Sequence, residues 1–244
     1  MDDIKKFTIA HRRVNDPQLR PYEANTAEYT YIASAINLAL AMLTKDSSKD
    51  MLVNIALIFD NTSLDSNMFQ GNKASAEQWV KWFVNQLQHR FPPVIVDESI
   101  THLDCLGYHP RLPWDGKLQD FPFHTQGVHI NGPRVKDMVA AGEGNSQASK
   151  QRFRDFQFAF ATTLVHEAGP HILITWLGGG RPDTPPEMAV AGYATSDDQL
   201  GESGRFFELH VFGGTTEYYR DPSKDDGQVT FFRPQYNGLV LTVV

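Results

Sequence analysis

Apolar residues recur at helical spacing over 27–46 (AEYTYIASAINLALAMLTKD), which predicts an amphipathic helix. A second helix is predicted over 74–91, where Trp79, Phe83 and Leu87 form one stripe ahead of Pro92-Pro93. The stretch 51–60 (MLVNIALIFD) is apolar throughout, and period alone leaves it open between a buried strand and part of a helix. KKFTIAHRRV near the start, PVIVDES after Pro92, and GVHIN (127–131) read as short strands, the last closed by Gly132-Pro133. Between them, 103–127 is rich in Pro, Gly, Asp and aromatic residues and reads as a long ordered loop lining a cleft. AAGEGNSQASKQ reads as a polar, flexible connection. A long helix is expected from about Ser149 to Leu177, stopped by Gly178-Gly179-Gly180. Another helix is expected over 198–214, and the tail reads as strands with a turn at Asn237-Gly238. Early helices, scattered strands and late helices predict one α+β domain over 1–244. Its strand and helix part would span 1–150, its two chemistry-bearing helices 151–214, and its last strands 215–244.

Composition narrows the function classes. The apolar (41%) and charged (21%) fractions are those of a chain that folds around a core, which excludes disorder. The net charge of −7, with no Lys/Arg run longer than two residues, argues against a nucleic-acid partner, since phosphate recognition needs a basic patch. No run approaches the length of a membrane span. One cysteine, Cys105, permits neither an internal disulfide nor a cysteine-rich metal cage. The opening residues lack the apolar stretch of a signal peptide, so the expected location is cytoplasmic. Trp79, Phe83 and Trp176 are expected in the core.

The chemistry concentrates in TTLVHEAGPHILITW. His166, Glu167 and His171 make a zinc-helix pattern one residue too long. Histidines four apart lie about 40° apart around a helix, but five apart lie about 140° apart, too far to share an ion. Pro170 lacks the N–H that would bond the His166 carbonyl, and Gly169 tolerates a distorted backbone. A π-type bulge over 168–170 would absorb the extra residue and turn His171 back toward His166. In such a helix the glutamate next to the first histidine is the general base beside metal-activated water, which assigns that role to Glu167.

The His166-Glu167-Ala168-Gly169-Pro170-His171 spacing resembles the HExxxH motif of the dipeptidyl peptidase III type of zinc peptidase. The likeness covers roughly 50 residues, Thr162 to Gly214. The family motif has no proline between its histidines, and its later glutamate motif opens with two acids where this chain has Gly201-Glu202. More broadly the arrangement is similar to the gluzincins, zincin-like enzymes in which two histidines and a distant glutamate hold zinc. The resemblance implies a single zincin-like domain and one zinc ion held by His166, His171 and Glu202. Glu202 follows His171 by 31 residues, in GESGRFFE, with Arg205 and Glu208 after it.

Zincins also present an edge strand to the substrate backbone, which places that role on GVHINGPR, with His129 facing the cleft and Asn131 bonding the substrate main chain. An oxyanion-stabilising group would come from Tyr193, His210, Tyr218 or Tyr219, with Tyr219 the choice here because it follows the ligand helix. Asp198 and Glu208 are candidates to orient the ligand imidazoles. The other histidines lack ligand spacing, His102 with Asp104 being the closest approach to one. The expected function is a zinc-dependent hydrolase, a metallopeptidase or amidase acting on a peptide or small-molecule substrate. The alternatives are a non-peptidase metalloenzyme that tailors a small molecule, with iron or another divalent metal possible, and a non-catalytic binding protein.

Overall fold

The computed structural model describes residues 7–62, 68–102, 105–180, 183–190, 201–220, 228–233 and 241–242, with backbone alone at 17 and from 217 onward. The fold is mixed helix and strand, an α+β arrangement.

A hairpin opens it: β1 (Ile9–Arg13) and β2 (Asp16–Pro21). Three helices follow, α1 (Ala27–Leu43), α2 (Asp46–Thr62) and α3 (Lys73–His89). Thr26 caps α1 by accepting from the Tyr29 N–H, and Asn72 caps α3 by accepting from the Ser75 N–H. The apolar run 51–60 is thus helical, its Leu52, Ile55, Ala56 and Phe59 buried at helical spacing.

The chain then returns to the sheet as β3 (Val94–Asp97), the short β4 (Gly107–Tyr108) and β5 (Val128–Asn131). The order across the sheet is β2-β1-β3-β5-β4. The central pairs β1–β3 and β3–β5 are parallel, and the two outer strands run antiparallel to their neighbours. Four consecutive buried residues in each of β3 and β5 match a strand covered on both faces.

Two expectations change here. Strand 128–131 is interior, paired with β3 on one side and β4 on the other, so it has no edge to offer a substrate. The edge on this side of the sheet is β4, inside what reads from sequence as loop. Gly132-Pro133 does not close a turn but begins α4 (Gly132–Glu143), with Asn131 as its cap and proline in its first turn. The stretch read as flexible is accordingly the end of α4, a short connection, and the start of α5 (Gln147–His166).

The long helix expected to Leu177 is interrupted. After α5 comes a π-helical turn, Glu167–His171, and then α6 (Ile172–Gly178). Helix α7 (Ser203–Phe212) follows, with Gly213 in the left-handed region ending it. A three-stranded sheet, β6 (Thr215–Arg220), β7 (Gln228–Arg233) and β8 (Leu241–Thr242), completes the described chain. Residues 198–200 and Asn237-Gly238 lie outside the described residues.

One apolar cluster links the sheet to α1–α7. Trp176 is fully buried and stacks on Phe83 at 5.2 Å, with Trp79 edge-on at 5.9 Å. Its indole N–H donates to the Leu118 carbonyl, so the ring is both packed and polar-satisfied. This anchors α6, and with it the π turn, against α3. Among the described residues no helix is long and apolar enough to cross a membrane.

Candidate metal centre

The π turn sets the geometry. The Ile172 N–H donates to the carbonyl of Glu167, five residues back, across the position where Pro170 has no N–H. The extra residue is absorbed, and the His166 and His171 rings come to 4.9 Å between centroids. The bulge predicted over 168–170 is the one observed. Gly169 has a further reason for being glycine: a Cβ there would lie 2.8 Å from Cδ2 of Leu43 in α1.

Glu202 reaches the same place from α7. It is the N-cap residue, and its carboxylate accepts from the backbone N–H groups of Gly204 (3.2 Å) and Arg205 (2.5 Å). Its Oε1 lies 3.3 Å from Nε2 of His166 and 2.5 Å from Nε2 of His171. Ligand atoms of His166, His171 and Glu202 all fall within 4.8 Å of one another. Gly204 allows the approach, because a Cβ there would overlap the His166 ring.

The far side of each imidazole is also held. Nδ1 of His166 pairs with Oε1 of Glu208 at 2.7 Å, and Glu208 in turn accepts from the Thr216 N–H at 2.6 Å. Nδ1 of His171 pairs with Oε2 of Glu167 at 2.9 Å. With a proton on each Nδ1, both Nε2 lone pairs face Glu202, the arrangement that metal-binding histidines adopt.

The electrostatics follow from those contacts. Burial alone would pull the His166 pKa down, but Glu202 and Glu208 outweigh it and hold it well above the ordinary value. Burial likewise opposes charge on His171, and Glu167 and Glu202 raise it. Burial pushes both glutamates up, yet the imidazoles win, holding Glu167 below and Glu202 well below the ordinary carboxylate range. Each imidazole is thus paired with carboxylates at both ring nitrogens, which favours positive charge on the rings and negative charge on the glutamates.

Two imidazole nitrogens and one carboxylate oxygen are a zinc donor set that leaves a fourth position open. The 3.3 Å separation of the His166 and Glu202 atoms matches about 3.3 Å between tetrahedral neighbours on bonds of about 2.0–2.1 Å, while the 2.5 Å separation of the His171 and Glu202 atoms is shorter and must widen to admit an ion. The residues therefore fit one divalent ion.

A cavity of about 400 Å³ reaches the edge of the cluster: of the three candidate ligands His166 lines it, together with Glu167, Glu208 and Arg205, and Leu106 and Gly107 of the edge-strand region line it too.

The remaining sequence-predicted residues fall elsewhere. His129 is buried, its Nδ1 2.9 Å from Asp97 and its ring stacked on Tyr108 at 4.8 Å. Asn131 is fully buried: its Oδ1 caps the Arg134 N–H, and its Nδ2 donates to the carbonyls of His102 and Cys105. Both hold the sheet and its edge in place and neither lines the cavity, so their assignment to substrate binding is corrected. Tyr218 and Tyr219 pair through the backbone with Thr230 and Val229, and their side chains lie outside the described residues. Tyr193, Asp198 and Asp104 lie outside them entirely. His210 is exposed and bonds the Phe206 carbonyl of its own helix.

Sequence reading missed the cavity's strand wall, because a two-residue strand carries no alternation to detect. It also missed His109 and Arg111, just beyond that strand, whose charge environment includes Glu167.

No family model, curated protein or solved structure matches the chain.

Proposed function

We propose that the chain is a metal-dependent hydrolase of the zincin-like type that cleaves a peptide or amide, with zinc held by His166, His171 and Glu202. The observation that carries this is the convergence of those three side chains across a helix whose π turn is needed for them to meet. The sheet supports it as well: an antiparallel edge strand borders the cavity that His166 and Glu167 line, the relation by which such enzymes pair with a substrate backbone.

A zinc ion bound there supplies Lewis acidity, polarising a carbonyl and acidifying water. Glu208 fixes the tautomer and orientation of His166. Glu167 does the same for His171 through Oε2, while its Oε1 lies 4.0 Å from Nε2 of His166. Glu167 is ionised at neutral pH and so can accept a proton, the imidazoles beside it lowering its pKa and with it its strength as a base. Glu167 takes a proton from the attacking water and returns it to the departing amine; the C–N bond breaks, the acyl carbon gains the hydroxyl and the nitrogen the hydrogen.

The cavity is small and the edge strand short, which also supports the second reading, a metalloenzyme acting on a small molecule by another reaction. The single thiol of the chain supports a reducing, cytoplasmic setting.

Glu167→Gln separates the readings. It is expected to weaken zinc binding no more than Glu208→Gln does, and when saturated with zinc to lose hydrolysis of an amide substrate by about 10²–10⁴-fold. Zinc retained with turnover unchanged would remove Glu167 from the reaction.

A further inference from the structure

The cavity walls differ in what they can grip. On one side the edge strand is only Gly107–Tyr108. Past His109 the chain loses its ability to continue as an edge: Pro110 has no N–H, and Arg111 sits at φ 49°, in the left-handed region. An extended substrate can pair with this strand over about one residue. The volume, about 400 Å³, is near the small end of ligand sites, which run from about 300 to 1,000 Å³.

Arg205 lines the same cavity. Among the described residues lining the cavity it is the one arginine or lysine. Its backbone N–H is bonded to the Glu202 carboxylate, so its Cα is fixed by the turn that builds the metal cluster. Its Nε lies 4.0 Å from Oε2 of Glu202, and its side chain is 34% exposed. A guanidinium so placed presents a planar fork at the scale of one carboxylate. Glu167 and Glu208 repel an anion and His166 is enclosed by Glu202 and Glu208, so Arg205 is the lining cation best placed to receive a substrate carboxylate.

We propose that Arg205 anchors the terminal carboxylate of the substrate, so that the site takes dipeptides and N-acyl amino acids with a free carboxylate rather than the interior of a long chain. Short main-chain pairing at β4 and an ionic anchor at Arg205, in the cavity that Glu167 also lines, suit a short substrate with a free carboxylate near its scissile amide. The inference rests on the hydrolase reading for its reaction, and its recognition claim stands on binding alone.

The test uses the zinc-loaded full chain with N-acetyl-alanyl-alanine and the corresponding primary amide. Calorimetry is expected to show the acid binding at least about 10-fold more tightly than the amide, the size of a charge-assisted contact. Arg205→Gln is expected to weaken acid binding by about 10–100-fold and to leave amide binding unchanged, with Arg205→Lys restoring part of the loss. Equal binding of acid and amide by the wild type, or no binding of either, overturns the proposal without reliance on any variant. Equal weakening of both by Arg205→Gln overturns it too. Turnover is scored separately. Acid preference without hydrolysis keeps Arg205 as the anchor and removes the hydrolase reading. Hydrolysis of acid and amide with equal kcat/KM keeps the reaction and removes the anchor.

Discussion

Glu208 shows how much of the candidate centre depends on a residue outside the ligand set. It is buried, accepts from the Thr216 N–H, and holds Nδ1 of His166. Replacing it with glutamine leaves the volume but removes the charge that keeps the proton on Nδ1. Glu208→Gln is expected to lower zinc affinity by about 10–100-fold, read in competition with a chromophoric chelator, with the circular dichroism spectrum unchanged. At this scale the sequence was informative where chemistry is local. His166, Glu167 and His171 stand within six residues, and the incompatible spacing itself pointed to the bulge. It was uninformative where a side chain's role depends on the strand next to it. His129 and Asn131 have the polar chemistry of a binding site, but burial in the middle of the sheet gives one to Asp97 and the other to a helix cap.

The π turn is the element that makes the centre possible. It is held from outside by α1, whose Leu43 packs against Gly169, and from its far end by Trp176. Gly169→Val forces its side chain into Leu43 and is expected to cost about 1–3 kcal/mol. Thermal unfolding should then fall by about 2–4 °C for each kcal/mol, and zinc affinity should fall with it because the two histidines move apart. An unchanged melting temperature would mean that Leu43 gives way freely. Proline in a helix pattern announced this element in the sequence. The edge strand announced nothing: two residues in a proline-rich stretch hold no period, and only pairing to β5 defines them. Helix α4 was hidden for a different reason. Asn-Gly-Pro suits a turn and a capped helix start equally, and the helical choice is made by Val135 and Met138 packing into the core.

Across the whole molecule, the parallel centre of the sheet and the helices above it bring three distant segments to one cavity. His109 lies at that junction. Burial pushes its pKa down to about 4, against a partial rescue by Gln126. Gln126 donates to the Leu112 carbonyl, so its oxygen accepts from Nε2 of His109 and fixes the neutral ring. A histidine ionises near pH 6.5 when unfolded, so between pH 6.5 and about 4 the unfolded chain binds a proton that the folded chain refuses. Its contribution to stability is complete above pH 6.5 and falls by roughly 3 kcal/mol toward pH 4, at 1.36 kcal/mol per unit. His109→Gln keeps a donor for Gln126 and removes the titration. Urea unfolding from pH 7 to 4.5 is expected to show a shallower loss of stability in the variant; parallel curves would show that His109 titrates normally.

The carboxylates beside His166 and His171 favour their protonated form, so metal uptake displaces protons from the imidazoles and zinc binds more tightly as pH rises through neutrality. Everything proposed for the site depends on that uptake. The most direct measurement is zinc content after loading and exhaustive dialysis at pH 7.5, in the wild type and in His171→Ala. About one zinc per wild-type chain, and essentially none in the variant, is the predicted result. No stoichiometric metal in the wild type, or equal retention without His171, would contradict the account.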